Sequence, residues 1–397
     1  MQNGCSGSPP SERMSTSGID ATPGSGRETV RVVVFGANGV FGRRTLRRLS
    51  SISTLELGAV CRTKEQALLL TKTLGPRVTP LWGNVHRLED VQALSRGAQA
   101  IFHCAGPFSM QPLYPLTVAL EDDLDYADLG DDPTYLKTAT ERIEQTSRND
   151  RLTICGASSL PSMTSLLALL AQSRFGAIDK IDIHVFIGNR NPKGRGAIEY
   201  LIHALRHAFM STQEGRLVHN RSWQSSHSFL NPFDHFVFPF SRIESPDDHF
   251  LPGWFHAKTV AFWVSLQFAW IHHVISLIGM VQRQSPAWLD SFWVNFLFYG
   301  HPIFLKQFGS SQGWLHLTTT HQTSSAVQTV HQQFSADDEG QRVPSFPLTI
   351  IGKIIAGELP RPEKSTVRFI DLLTPEQFLV DLRLEGIQSL LHKPIDT

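Results

Sequence analysis

The chain lacks net charge: 36 Lys and Arg balance 36 Asp and Glu over 397 residues. It therefore has no electrostatic footprint for nucleic acid. It also lacks paired cysteines. Of the four, Cys5 lies near the start, while Cys61, Cys104 and Cys155 each close an apolar run, and no C-x-x-C spacing occurs. That usage suits buried thiols in a reducing cytosol, so a cytoplasmic location is expected and no metal site is. The 17 histidines are scattered, with His272-His273 the one adjacent pair, which favours surface and satisfied core imidazoles over a metal centre. Residues 1–27 lack any apolar block and are rich in Ser, Gly and Pro. They read as a disordered tail, neither signal peptide nor fold.

What is present organises around Val32 to Gly42, a β-branched run that breaks into Gly36-Ala37-Asn38-Gly39-Val40-Phe41-Gly42 and then a helix over Val40 to Leu49. The spacing is G-x-x-G-x-x-G. Gly36 is expected to turn the chain out of the strand, Gly39 to admit a pyrophosphate, and Gly42 to let helix and sheet pack closely. The helix presents unpaired N–H groups to an anion, so Asn38, Gly39, Val40, Phe41 and Gly42 form a candidate dinucleotide site. Leu55 to Cys61 reads as a second strand, ending at Arg62, Thr63 and Lys64 with no carboxylate before Glu65. An acidic residue there would accept from the ribose of NAD, whereas arginine suits the 2′-phosphate of NADP, so Arg62 and Thr63 point to NADP(H).

Helix and strand then alternate: helix 65–74, strand Arg77 to Trp82, helix Leu88 to Leu94, strand Ala98 to Cys104, helix Leu113 to Glu121, strand Leu124 to Leu129, helix Pro133 to Gln145 and strand Arg151 to Cys155. This regularity implies parallel βαβ units and a doubly wound α/β sheet. Asn84 and Val85, after the third strand, are candidate walls of an adenine site. Ala105, Gly106, Pro107 and Phe108, after the fourth, lie where a nicotinamide would pass.

These residues carry a resemblance. The Gly36–Gly42 run, Cys61-Arg62, the Cys104–Phe108 loop, the Asp125–Leu129 strand and Gly156–Ser162 resemble the saccharopine dehydrogenase-like oxidoreductases, which include saccharopine reductases and trans-acting enoyl reductases. The likeness covers roughly residues 30–165 and fades afterwards. It implies an NADP-binding Rossmann domain (28–158) followed by a mixed α/β substrate and dimerisation domain (159–397), with a homodimer one possible assembly. One departure is Pro161-Ser162, where that family often has Pro-Gly.

The second half reads as helix Met163 to Gln172, strand Ile181 to Ile187, a Gly-rich loop with Arg190, Lys193 and Arg195, and helix Ala197 to Phe209. The three cations either hold a substrate anion or form an exposed basic turn. Thr259 to Gln282 holds no charge between Lys258 and Arg283. Read as one helix it has a polar stripe, Lys258, Ala261, Ser265, Ala269, His272, Ser276, Gly279 and Arg283. That leaves three readings open: buried core or substrate wall, peripheral membrane contact, or a span. Trp288 to Leu305 is aromatic-rich, Gln312 to Phe334 strand-like, and Phe346 to Ile355 and Pro375 to Leu384 are two further helices.

Hydride transfer usually needs a proton donor as well as a nicotinamide. The five tyrosines, 114, 126, 135, 200 and 299, all lack a lysine four residues on, which excludes the Tyr-x-x-x-Lys pair of short-chain dehydrogenases. Tyr114 and Asp128 are the remaining candidates near the sheet's carboxyl edge, each also readable as structural. The sequence thus leads to an NADP(H)-dependent oxidoreductase acting on C=C, C=N or C=O of an apolar or lipid-like small molecule. The rivals are a non-catalytic NADP-binding sensor or membrane-associated adaptor, and an amino-acid-type saccharopine reductase-like activity.

Overall fold

The computed structural model describes residues 29–146, 151–191, 193–304, 307–322, 326–336, 340–363 and 368–396. The expected tail at 1–27, with Cys5, lies outside them. The first half alternates β1 (Val30–Phe35), α1 (Val40–Leu49), β2 (Leu55–Cys61), α2 (Lys64–Thr71), β3 (Val78–Trp82), α3 (Leu88–Ser95), β4 (Ala100–His103), α4 (Tyr114–Glu121), β5 (Asp125–Asp128), α5 (Pro133–Glu144) and β6 (Thr153–Ile154). All six strands are parallel, in the order β3-β2-β1-β4-β5-β6. Val32, Val33, Val34 and Phe35 are buried on both faces of the sheet, which is why β1 reads as an unbroken apolar run. The strand order reverses between β1 and β4, and in such sheets the crevice at that point receives the ligand.

The chain continues through α6 (Thr164–Phe175), β7 (Lys180–Ile187), α7 (Arg195–Arg206), β8 (Ala208–Gln213), β9 (Arg216–Arg221), β10 (Ser226–Leu230), β11 (Val237–Arg242), α8 (Pro246–Phe255) and β12 (Thr259–Ser265). It ends with α9 (Ala269–Gln282), α10 (Trp288–Phe304), β13 (Gly313–Gln322), β14 (Val327–Ala336), α11 (Phe346–Ile355), α12 (Pro375–Leu384) and β15 (Gln388–Asp396). A second, mixed sheet has the order β10-β11-β12-β7-β13-β14-β15, parallel only between β12 and β7, and β8 pairs with β9 as a separate ribbon. The molecule is thus a Rossmann-like sheet joined to a mixed α/β unit. At the passage between them Ser162 is buried and donates to the Gly156 carbonyl at 2.7 Å, an internal use for the hydroxyl that stands in place of glycine. The last third folds back: α11 packs on α1, where Gly352 leaves room for Leu49, and Arg361 makes a two-bond pair with the buried Asp125.

Two expectations are corrected. Residues 259–282 are not one helix but β12 followed by α9, with Gln267 between them at φ +69°. Val260, Phe262 and Val264 alternate inward along β12, and that period of two, with β-branched and aromatic residues, is a strand's. Among the described residues no helix is long and apolar enough to cross a membrane, so the spanning reading falls. The helix expected to reach Phe209 ends at Arg206, because His207 turns extended and Ala208-Phe209 open β8.

Candidate functional site

The three glycines meet different surroundings at the head of α1. Gly36 sits at φ +73°, and a Cβ there would lie 2.4 Å from the Ala105 nitrogen. Only glycine allows the β1 turn to lie this close to the chain leaving β4. A Cβ on Gly42 would lie 2.2 Å from the Gly36 carbonyl oxygen, so this residue sets how closely helix and turn pack. Gly39 is exposed and is the N-cap of α1; a Cβ there would meet the Gly36 oxygen at 3.2 Å and the Cys104 oxygen at 4.0 Å. With no side chain to cap the helix and no acidic residue in its first turn, the N–H groups of Val40, Phe41 and Gly42 have no intrahelical acceptor. They form an anion seat. Asn38 does not cap this helix: its Oδ1 accepts from Arg43 Nε at 3.1 Å and from Arg43 Nη2.

A cleft of about 360 Å³ opens beside this turn, lined by Arg62, His86, Gly106, Pro107, Met110, Gln111, Arg195, Gly196 and Glu199. Arg62 follows the last residue of β2, and Gly106-Pro107 follow β4, so both come from the carboxyl edge of the first sheet. Arg195 and Gly196 open α7, the helix after the central strand of the second sheet. The two halves approach closely: a Cβ on Gly196 would lie 3.2 Å from the Pro107 nitrogen, and one on Gly194 3.9 Å from Val40 Cγ2. The structure therefore brings together Arg62, Gly106, Pro107 and Arg195 of the sequence candidates.

Other candidates are used elsewhere. Thr63 caps α2 by accepting from the Gln66 N–H at 3.3 Å. Asn84 braces its own loop, its Oδ1 accepting from the His86 N–H at 3.0 Å, and Val85 packs on the core. Ala105 lies against Gly36, and Phe108 is buried edge-on to His103. Of the basic loop, Arg190 reaches the Gln307 carbonyl at 3.4 Å. Lys193 donates to the Gly188 and Asn191 carbonyls at 3.3 and 3.2 Å, and burial lowers its pKa to about 8. Arg195 is held by Glu199 at 2.8 Å and by Asn295 Oδ1 at 3.1 Å. The three cations do not converge, and only Arg195 lines the cleft.

Neither proton-donor candidate lines it. Tyr114 is half-buried at the start of α4 and packs on the core. Asp128 is fully buried. Its Oδ1 accepts from the Gly130 and Gly156 N–H groups at 2.9 and 2.7 Å, and its Oδ2 from the Tyr126 and Tyr135 hydroxyls at 3.0 and 3.2 Å. Burial pushes its pKa up, against the pull of these bonds. Burial likewise pushes the Cys104 thiol up to about 12, which leaves it protonated and inert.

Sequence reasoning missed His86, Met110, Gln111, Gly196 and Glu199 of the cleft, and, outside it, the buried His103. His86 was accessible from topology, since it follows Asn84 in the loop after β3. His103, the last residue of β4, was not. It is fully buried, neither ring nitrogen has a hydrogen-bond partner, and burial lowers its pKa to about 3.

No family model matches the chain, and no curated protein matches it in sequence. Among solved structures it is similar to the apo saccharopine dehydrogenase (L-Glu forming) of Saccharomyces cerevisiae, with 10% identity and a TM-score of 0.63 over 92% of this chain and 100% of that one. A scyllo-inositol dehydrogenase from Lactobacillus casei, with bound NAD(H) and scyllo-inositol, aligns at 10% identity and a TM-score of 0.44 over 91% of this chain and 99% of its own. A myo-inositol dehydrogenase from Corynebacterium glutamicum gives 13% and 0.41 over 92% and 100%. At these identities the likeness is one of architecture, and only the first is close enough to carry it. The fold of this chain, a six-stranded parallel sheet followed by a seven-stranded mixed one, is saccharopine dehydrogenase-like.

Proposed function

We propose that the protein is an NADP(H)-dependent oxidoreductase that exchanges a hydride with C=C, C=N or C=O of an apolar or lipid-like substrate. One observation carries the reading: a single cleft joins Arg62 at the end of β2, Gly106-Pro107 at the end of β4 and the first residues of α7, beside a glycine turn and a bare helix N-terminus. These residues fit a dinucleotide. The first-turn N–H groups of α1 would hold the pyrophosphate, Arg62 the 2′-phosphate, and the backbone of Gly106-Pro107 would border the nicotinamide. The bound cofactor would supply or accept the hydride. Arg195 would orient the substrate from the opposite wall, and His86 and Glu199 are the cleft groups able to pass a proton. The apolar preference rests on the aromatic-rich second unit, whose Phe298 lies against Arg195 at the cleft.

Calorimetric titration of wild type and Arg62→Ala with NADPH and NADH tests this reading. The expected outcome is a loss of NADPH affinity of about tenfold or more, one charge-assisted contact, with NADH changed less than about twofold. Equal losses for both nucleotides would remove Arg62 as the selector. NADPH oxidation over a panel of enoyl, imine and carbonyl compounds then separates an enzyme from a sensor.

A further inference from the structure

Helix α9 is apolar on both faces: Ile271, Ile275 and Ile278 are buried beneath it. The polar atoms that give it a stripe in sequence are spent on the protein interior. His272 Nδ1 pairs with Ser241 Oγ at 2.7 Å and its Nε2 accepts from the Leu266 N–H at 3.2 Å. Ser276 donates to the Trp223 carbonyl at 3.1 Å, and Arg283 to the Leu205 and Ser222 carbonyls, both at 3.3 Å. The solvent side instead carries Trp270, Val274, Leu277 and Val281, spaced i, i+4, i+7, i+11, with Met280 beside them. Helix α10 repeats the pattern with Trp288, Phe292, Phe296 and Tyr299. These nine side chains are 40–71% exposed. At 150–250 Å² per aromatic ring, the five aromatics alone leave on the order of 600 Å² of apolar surface in water.

Both helices seat on α7 and are joined by residues 283–287, with Gln282 Nε2 donating to Asp290 at 2.9 Å across the turn. The only Lys, Arg, Asp or Glu from Ala269 to Phe304 are Arg283 and Asp290. Both turn inward, Asp290 to Arg206 and Gln282. The described residues of α9 and α10 therefore bring no Lys, Arg, Asp or Glu side chain to the outer face. A protein partner would ordinarily meet a polar rim and roughly one hydrogen bond per 100–200 Å². The headgroup boundary of a bilayer asks for neither, and it favours Trp and Tyr, whose rings are apolar and whose tips are polar. With 14 and 17 residues, these helices are too short to span a hydrocarbon core of about 30 Å but suited to lie along it.

We infer that the outer face of α9 and α10 docks on a lipid bilayer as an interfacial surface. The face also adjoins the cleft, since Asn295 and Phe298 of α10 touch Arg195, so docking sets the cleft beside the membrane. The inference goes beyond the nucleotide reading and does not depend on it.

Flotation of the full chain with phosphatidylcholine vesicles, with and without phosphatidylserine, tests it. The protein should float with both, unaffected by raising salt from about 0.1 to 0.5 M because the face is uncharged. Leu277→Glu with Phe296→Glu, both at exposed positions, should cut the floated fraction about tenfold, while circular dichroism and NADPH affinity stay as in wild type. Leu217→Glu, an exposed apolar position on β9, should float like wild type. Wild type that fails to float, or a double variant that floats equally, would overturn the inference. So would light scattering that finds a dimer split by the double variant in a protein that ignores vesicles.

Discussion

At the scale of single residues, Gly36 and Gly39 separate folding from binding. Gly36 combines a positive φ with a backbone atom where a side chain would begin. Gly36→Ala should therefore lower unfolding free energy by about 2 kcal/mol or more in urea denaturation, with nucleotide binding falling as a consequence. Gly39 has an ordinary φ of −71° and one close contact, at 3.2 Å. Gly39→Ala should change stability by less than about 1 kcal/mol, yet weaken NADPH at least about tenfold, because the new methyl would stand where the proposed site receives a phosphate. A Gly39→Ala protein that binds NADPH like wild type would show that the seat is not used. The packing roles of Gly36 and Gly42, and the place of Arg62 in the cleft, were legible in the sequence because each is fixed by position relative to a strand end. The engagement of Lys193 by carbonyls, or of Asn38 by Arg43, was not. Those contacts depend on where a loop closes in space, which no spacing in the sequence encodes.

At the scale of elements, Asp128 acts as a brace. Its four bonds tie the end of β5 to the Gly130 and Gly156 turns and to Tyr135 of α5. Asp128→Ala leaves two buried N–H groups without an acceptor and the Tyr126 and Tyr135 hydroxyls with only each other, and should cost about 2–4 kcal/mol of stability, measured by the urea midpoint, while NADPH affinity of the folded fraction stays within about twofold. Lost turnover at an unchanged midpoint would instead make Asp128 catalytic. The sequence placed Asp128 correctly at the sheet's edge but could not say which way it points. Regular βαβ alternation made α1 to α5 and β1 to β6 readable to within about three residues. The reading failed at 259–282, where an uncharged run of 24 residues imitates a helix although its first seven alternate as a strand. Apolar runs report burial before they report period. Strands β9 and β10 escaped for the opposite reason: they are short, largely polar and mostly exposed, and pairing alone defines them.

At the scale of the molecule, the two sheets are made one by the last third of the chain. Helix α11 covers α1, and Arg361 reaches back to Asp125 at the start of β5. None of this follows from local pattern, since it joins residues more than two hundred positions apart. The same holds for the histidines. Scattered in sequence, His227, His184, His316, His331 and His392 line up across the second sheet on β10, β7, β13, β14 and β15. Among the described residues they form no group placed to hold a metal. The cleft, too, is a product of the whole fold, with six lining residues from loops at the first sheet's edge and three from α7. A structure determined with saturating NADPH tests its use most directly. The pyrophosphate should lie on the N–H groups of Val40 to Gly42, the 2′-phosphate on Arg62, and the nicotinamide against Gly106-Pro107 and facing Arg195. A nucleotide bound elsewhere, or a cleft left empty at saturation, would contradict the account.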